Sequence, residues 1–172
     1  QQRNSAITWS GDIRGTWQVL KNQIPAGLNF SMTGIPYWNT DTGGFFNDRT
    51  TGDGNPRSPQ FQEFFLRWFQ FSAFCPMFRV HSSSGLNPGR EFFRFDEKTQ
   101  AMLRTSLDLR YRLLPYQYSV SWQVTNNAST FMRPLAMDFP KDPKVINIGD
   151  EYLYGPSILV TPVTTAGQTM RP

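Results

Sequence analysis

The sequence predicts an α/β fold, the C-terminal portion of a (β/α)8 TIM barrel running into the start of a second, strand-rich domain. Three observations carry this. Helix, strand and loop alternate along the chain, as a parallel α/β architecture requires. Short apolar strands each empty into a polar, glycine-rich loop. The chain has 172 residues, whereas a complete eightfold barrel takes about 250, so the clear strands make only its final part. Hydrophobic content of 38% with 15% aromatic residues is enough for a sizeable core and argues against disorder.

Taken in order, Trp17, Leu20 and Ile24 recur at helical spacing until Pro25, and residues 26–32 form a second short helix closing near Gly34. Ile35-Pro36-Tyr37-Trp38 reads as a buried strand running into residues 39–41 and the Gly43-Gly44 turn. Residues 47–58 are rich in Gly, Asp, Asn and Pro, hence a surface loop, with Ser58 as N-cap and Pro59 as first helical residue. Phe61, Phe64, Phe65, Trp68 and Phe69 then share one helical face. Residues 77–81 form the next strand, followed by a loop through Ser82, Gly85 and Pro88. A long helix starts near Asp96, with Leu103, Leu107, Tyr111, Leu114, Tyr118 and Trp122 on one face and a kink at Pro115. Residues 131–137 make a further strand, and residues 157–163 open a strand-rich region. The division expected is a partial barrel over 1–145, then the barrel end and the start of the next domain over 146–172.

Composition excludes several functions. The net charge is +4, but the 17 basic residues are spread along the chain and form no phosphate-tracking stripe, so nucleic acid is not an expected partner. No run of about 18 apolar residues is available for a membrane span. The opening Gln1-Gln2-Arg3-Asn4-Ser5 is too polar for a signal peptide, leaving either a mature segment or an N-terminus elsewhere. The single cysteine, Cys75, allows no internal disulfide, and its neighbours Phe74, Pro76 and Met77 mark it as a small buried hydrophobe.

In parallel barrels the functional side chains project from the C-terminal ends of strands. That rule selects Asp41 after one strand, His81 with Arg79 after the next, and Asp12 in the Trp9-Ser10-Gly11-Asp12 turn, all facing one mouth. Converging carboxylates suit glycosidic bond cleavage, where one acid protonates the departing oxygen and another group stabilises or attacks the anomeric centre. Plainer roles stay open from these residues alone. Asp12 would serve equally as a helix cap, Asp41 as a turn former, and Trp9 as a core anchor or a sugar platform. His81, the only histidine, cannot build a metal site by itself.

Longer strings add to this reading. Trp9-Ser10-Gly11-Asp12 with Trp17, then Gly34-Ile35-Pro36-Tyr37-Trp38-Asn39-Thr40-Asp41-Thr42-Gly43-Gly44-Phe45, resemble glycoside hydrolase family 31. The match continues through Arg67-Trp68-Phe69-Gln70, Arg79-Val80-His81, residues 109–116, Met132-Arg133-Pro134-Leu135 and residues 154–163. The resemblance implies a retaining α-glycosidase with a β-sandwich domain following the barrel. It implies Asp12 as the general acid/base, hydroxyl-binding roles for Asp41 and His81 in the terminal sugar's subsite, and supporting or wall positions for Trp9, Phe45 and Arg79. The family's nucleophile is an Asp on an earlier strand, in a motif absent from this chain. A subsite arginine also lies further upstream than Arg3. No metal or organic cofactor is implied, the substrate is an oligosaccharide or polysaccharide, and the location is periplasmic or secreted. The wording is most like bacterial α-xylosidases acting on xyloglucan-type side chains. The α-glucosidases share the same machinery, and a non-catalytic carbohydrate-binding or structural fragment is the alternative from another class.

Overall fold

The parallel alternation is present, in abbreviated form. In the computed structural model, which describes residues 6–83 and 89–171, β1 (Thr8–Trp9) pairs in parallel with β2 (Trp38–Asn39). Parallel bridges join Arg14 to Phe46 and Thr42 to Val80. Three segments therefore run side by side in one direction. The strand expected at residues 35–38 is paired only from Trp38 onward, and the one expected at residues 77–81 is held by a single bridge at Val80, because these segments meet near their C-terminal ends. Arg3, and the expected loop residues Gly85 and Pro88, lie outside the described residues.

α1 (Trp17–Met32) is one continuous helix, not the two separated at Pro25. Its N-cap is Thr16, whose hydroxyl accepts from the Val19 N–H at 3.2 Å. Pro25 removes one helical donor, yet the buried face of Leu20, Gln23, Ile24, Gly27, Leu28 and Ser31 runs past it on both sides. Packing on the strands outweighs the local cost. Gly27 permits the closest part of that packing, since a Cβ there would stand 2.7 Å from the Trp38 ring.

α2 (Pro59–Ser72) buries Phe61, Phe64, Phe65, Trp68 and Phe69 as expected, and Leu66 and Phe71 as well. Phe65 stacks on Phe95 at 5.0 Å, and Phe64 meets Trp68 edge-on at 5.4 Å, geometries that ring quadrupoles favour. Ser58 occupies the N-cap position, but its hydroxyl donates to Gln60 Oε1 at 2.8 Å and caps no backbone N–H.

The long kinked helix is instead two helices, α3 (Glu97–Arg112) and α4 (Leu114–Asn127). Asp96 caps α3, its Oδ1 accepting from the Thr99 N–H at 2.7 Å. Pro115 lies in the first turn of α4, where its missing donor costs little, so the chain breaks at Leu113 and restarts. The restart shifts the phase. Leu103 is fully buried, but Tyr111, Tyr118 and Trp122 are 68%, 81% and 58% exposed, while α4 buries Gln117 and Val120.

β3 (Met132–Pro134) is followed by one helical turn, α5 (Leu135–Asp138), which replaces the second half of the strand expected at residues 131–137. β3 does not extend the parallel layer. It pairs antiparallel with β4 (Tyr152–Tyr154), which pairs antiparallel with β5 (Ile158–Val160). This sheet joins residues on both sides of position 145, because β3 finds its ladder partners there and not beside β2.

The sheet also grips the segment that leads to Arg79 and His81. The Arg110 guanidinium donates to the carbonyls of Ala73, Cys75 and Pro76 at 2.6–3.0 Å and to the Tyr154 hydroxyl at 3.1 Å. The Tyr152 hydroxyl donates to the Phe74 carbonyl at 2.9 Å. Cys75, at the centre of this clasp, is fully buried, and burial pushes its thiol up to about 12. A thiolate is the reactive form. Iodoacetamide at pH 8 should therefore leave Cys75 unlabelled in the folded protein and label it fully in denaturant, as read by intact mass; rapid native labelling would contradict the buried placement.

Candidate active site

Three loops meet where β1, β2 and the Val80 segment end. The first two are fused through their backbones: the Ile13 carbonyl accepts from the N–H groups of Phe45 at 2.7 Å and Phe46 at 3.0 Å, and the Gly15 N–H donates to the Phe46 carbonyl at 2.7 Å. Gly44 makes this approach possible. Its φ is +80°, and a Cβ would lie 2.4 Å from the Gly15 Cα, a position no side chain tolerates. Thr42 ties in the third loop, its hydroxyl donating to the Arg79 carbonyl at 2.7 Å and pairing with the Ser72 hydroxyl at 2.8 Å.

Asp41 sits at the centre and is completely buried. Its Oδ1 accepts from Arg79 Nη2 at 2.6 Å and from Arg79 Nε at 3.2 Å. Its Oδ2 is equally buried but has no partner among the described residues. An ionised carboxylate is costly to bury without compensation, so one oxygen is matched and the other is open to a donor. The Arg79 guanidinium also lies over the Trp9 ring, 5.7 Å from its centroid. Trp9 itself is 47% exposed, so it anchors no core within this chain.

Phe45 and His81 form a second pair, their ring centres 5.3 Å apart. His81 is exposed at the same mouth. Asp12 is exposed on the first loop, one residue before the carbonyl that fuses it to the second. It does not cap α1, since Thr16 does. Asp41 does close a turn, its carbonyl accepting from the Gly44 N–H at 2.8 Å, but this uses only its backbone.

Arg90 escaped the sequence reading. It is 7% exposed, and its Nη1 donates to the carbonyls of Thr42 at 3.1 Å, Gly44 at 2.6 Å and His81 at 3.0 Å, while Nη2 donates to Asn47 Oδ1 at 2.8 Å. Burial lowers its pKa to about 10, with the Asp41 charge opposing the shift, so it stays protonated at neutral pH. A lone arginine beyond a polar loop carries no periodic signal. Concavities of about 510 and 750 Å³ open elsewhere, around Tyr37 just before β2, and neither is lined by Asp12 or Asp41. Among the described residues no group of three or more His, Cys, Asp or Glu side chains gathers as a metal would require, and no helix is long and apolar enough to cross a membrane.

The glycosyl hydrolases family 31 TIM-barrel domain matches residues 1–120, and the glycosyl hydrolase family 31 C-terminal domain matches residues 128–172. The chain belongs to glycoside hydrolase family 31. Among family relatives, it is 51% identical to the alpha-xylosidase of Saccharolobus solfataricus over 95% of this chain and 21% of that protein. It is 35% identical to the lysosomal alpha-glucosidase of Mus musculus over 94% of this chain and 16% of that protein. The crystal structure of the family 31 alpha-xylosidase of Xanthomonas citri matches with a TM-score of 0.90 and 40% identity, over 99% of this chain and 19% of that one. The chain thus spans about a fifth of the length of the curated relatives it matches. The resemblance read from Trp9-Ser10-Gly11-Asp12 and Gly34 to Phe45 holds at the family level.

Proposed function

We propose that this chain is the C-terminal part of the catalytic barrel, with the start of the following β-sandwich, of a retaining α-glycosidase that releases terminal non-reducing α-linked sugars. The carrying observation is the buried Asp41, with one oxygen held by Arg79 and the other without a partner among the described residues, at the mouth that also presents Asp12, Trp9, Phe45 and His81.

The reaction is a double displacement. A carboxylate outside this chain attacks the anomeric carbon while Asp12 protonates the departing glycosidic oxygen. Asp12, now ionised, takes a proton from water as that water attacks the same carbon and displaces the carboxylate bound to it, and the sugar leaves with its configuration retained. Asp41 Oδ2 accepts from a hydroxyl of the terminal sugar, Arg79 holds the carboxylate in place, and His81, Phe45 and Trp9 complete the wall. The substrate proposed is an α-xyloside of xyloglucan type, supported by the higher identity to the alpha-xylosidase than to the alpha-glucosidase. The chain alone lacks the nucleophile, so its isolated form is proposed to be inactive. A periplasmic or secreted location completes the proposal and rests on the resemblance alone.

The test is hydrolysis by the full-length enzyme of aryl α-xyloside and aryl α-glucoside, with NMR of the first anomer released. The expected result is a kcat/KM at least about tenfold higher on the xyloside, a difference of about 1.4 kcal/mol in transition-state binding, with the α-anomer formed first. A β-anomer would rule out retention. Preference for the glucoside would move the assignment to α-glucosidase, and turnover of neither would favour a binding or structural role.

A further inference from the structure

Among the described residues only two charged side chains are buried, Asp41 and Arg90. They share a site without pairing, since the Asp41 carboxylate is bonded to Arg79. Arg90 spends its donors on main-chain carbonyls, although a guanidinium withdrawn from water is best compensated by a carboxylate. The choice of carbonyls is informative. Thr42 follows Asp41, Gly44 precedes Phe45, and the third carbonyl belongs to His81. The remaining bond reaches Asn47 on the far side of the same loop. Below the guanidinium lies the Phe61 ring of α2, 5.5 Å from its centre, which fixes the plane of the fork.

We infer that Arg90 is a positioning residue, a single clamp that locks the loop after β2 to the loop after Val80, so that Asp41, Phe45 and His81 present one sugar-shaped surface. This rests on the proposed function, in which those side chains meet the terminal sugar. Two nitrogens divide this work: Nη1 shares its two hydrogens among three carbonyls of the two loops while Nη2 reaches the Asn47 amide, whereas a lysine ammonium has its three donors on one nitrogen and serves the carbonyls without reaching Asn47 as well. Nor is fold stability a sufficient reason for the residue, because an apolar side chain of similar volume fills a buried position without the desolvation cost of a charge. Its Nε is buried with no partner among the described residues, a cost tolerated alongside the four contacts made by the fork.

The experiment compares wild-type full-length enzyme with Asp41→Asn, Arg90→Lys, Arg90→Gln and Arg90→Gln/Asp41→Asn, measuring kcat and KM on an aryl α-glycoside together with the thermal midpoint. Arg90→Gln should raise KM at least about tenfold, with kcat changed much less, and Arg90→Lys should give an intermediate KM at a thermal midpoint close to wild type. Because the clamp acts through the residues it holds, the double variant should lose less than the product of the single losses. If Arg90→Gln does not fold, Arg90→Lys decides: a raised KM in the folded variant supports the clamp, and a wild-type KM overturns it. An unchanged KM in Asp41→Asn would instead overturn the underlying placement of the sugar. A raised KM in Asp41→Asn with wild-type KM in folded Arg90→Gln would overturn the clamp alone.

Discussion

In the full-length enzyme, Asp12→Ala will slow hydrolysis of α-glycosides with poor leaving groups by about 10²–10⁴-fold, the range that a positioned proton donor contributes. A sugar or alkoxide leaving group needs a proton as the bond breaks, so removing the donor raises that barrier fully. An activated phenolate departs unaided, and its bond cleavage should be slowed far less. The two steps can be separated further. In the proposed mechanism Asp12 also deprotonates the water of the second step, so the variant should accumulate glycosyl-enzyme on activated substrates, and azide should restore turnover because this anion attacks without losing a proton. The product would be the α-glycosyl azide, since attack on the covalent intermediate inverts a centre already inverted once. Equal rates for wild type and Asp12→Ala on poor leaving groups would remove Asp12 from the reaction. The exposure of Asp12, and the assignment of the helix cap to Thr16, leave its carboxylate free of the structural duty that the sequence alone allowed it.

The parts of the fold legible in the sequence are those where a local pattern and the tertiary environment agree. The aromatic face of α2 could be read because five rings at helical spacing all enter one core. The β1–β2 mouth could be located because an apolar tetrad followed by Asp and two glycines describes a strand end, a site and a tight turn together. Other features depend on contacts remote in sequence. Pro25 predicts a break, but the unbroken buried face on either side of it carries α1 through. Pro115 predicts a kink in one stripe from Leu103 to Trp122, but the restart at Leu113 changes which side of α4 is buried and leaves Tyr118 and Trp122 exposed. β3 looks like another parallel strand until its partners are known, and these lie some twenty residues ahead, across a segment without strand character. Asp41 and Arg79 are legible as candidate site residues by the strand-end rule, but their bond, and the contacts of Arg90 behind it, are long-range and no local pattern encodes them.

The Arg79–Asp41 pair should show a large effect on stability as well as on sugar binding. Removing one partner of a buried ion pair leaves the other as an uncompensated charge, at a cost of about 3–5 kcal/mol. Arg79→Met does this to Asp41, which is fully inaccessible and whose second oxygen has no partner among the described residues. Two features place the expected loss at the lower end, about 3 kcal/mol. The Arg79 side chain is 38% exposed, so water entering the vacated space can solvate part of the carboxylate, and the nearby Arg90 cation supplies some of the missing charge. The measurement is denaturant and thermal unfolding of the full-length enzyme as wild type, Arg79→Met, Asp41→Asn and the double variant. If the unpaired charge is the cause, the double variant should be more stable than Arg79→Met alone, although it carries one more substitution, because an amide is cheaper to bury than a carboxylate. If Arg79→Met instead unfolds with wild type, the carboxylate is held by something other than its partner. If the double variant is less stable than either single one, the cost belongs to lost packing against Trp9 and not to charge. Sugar binding distinguishes the pair's second role. The double variant should recover stability without recovering KM, because it restores electrical balance and leaves neither the carboxylate oxygen proposed to meet the sugar nor the guanidinium proposed to aim it.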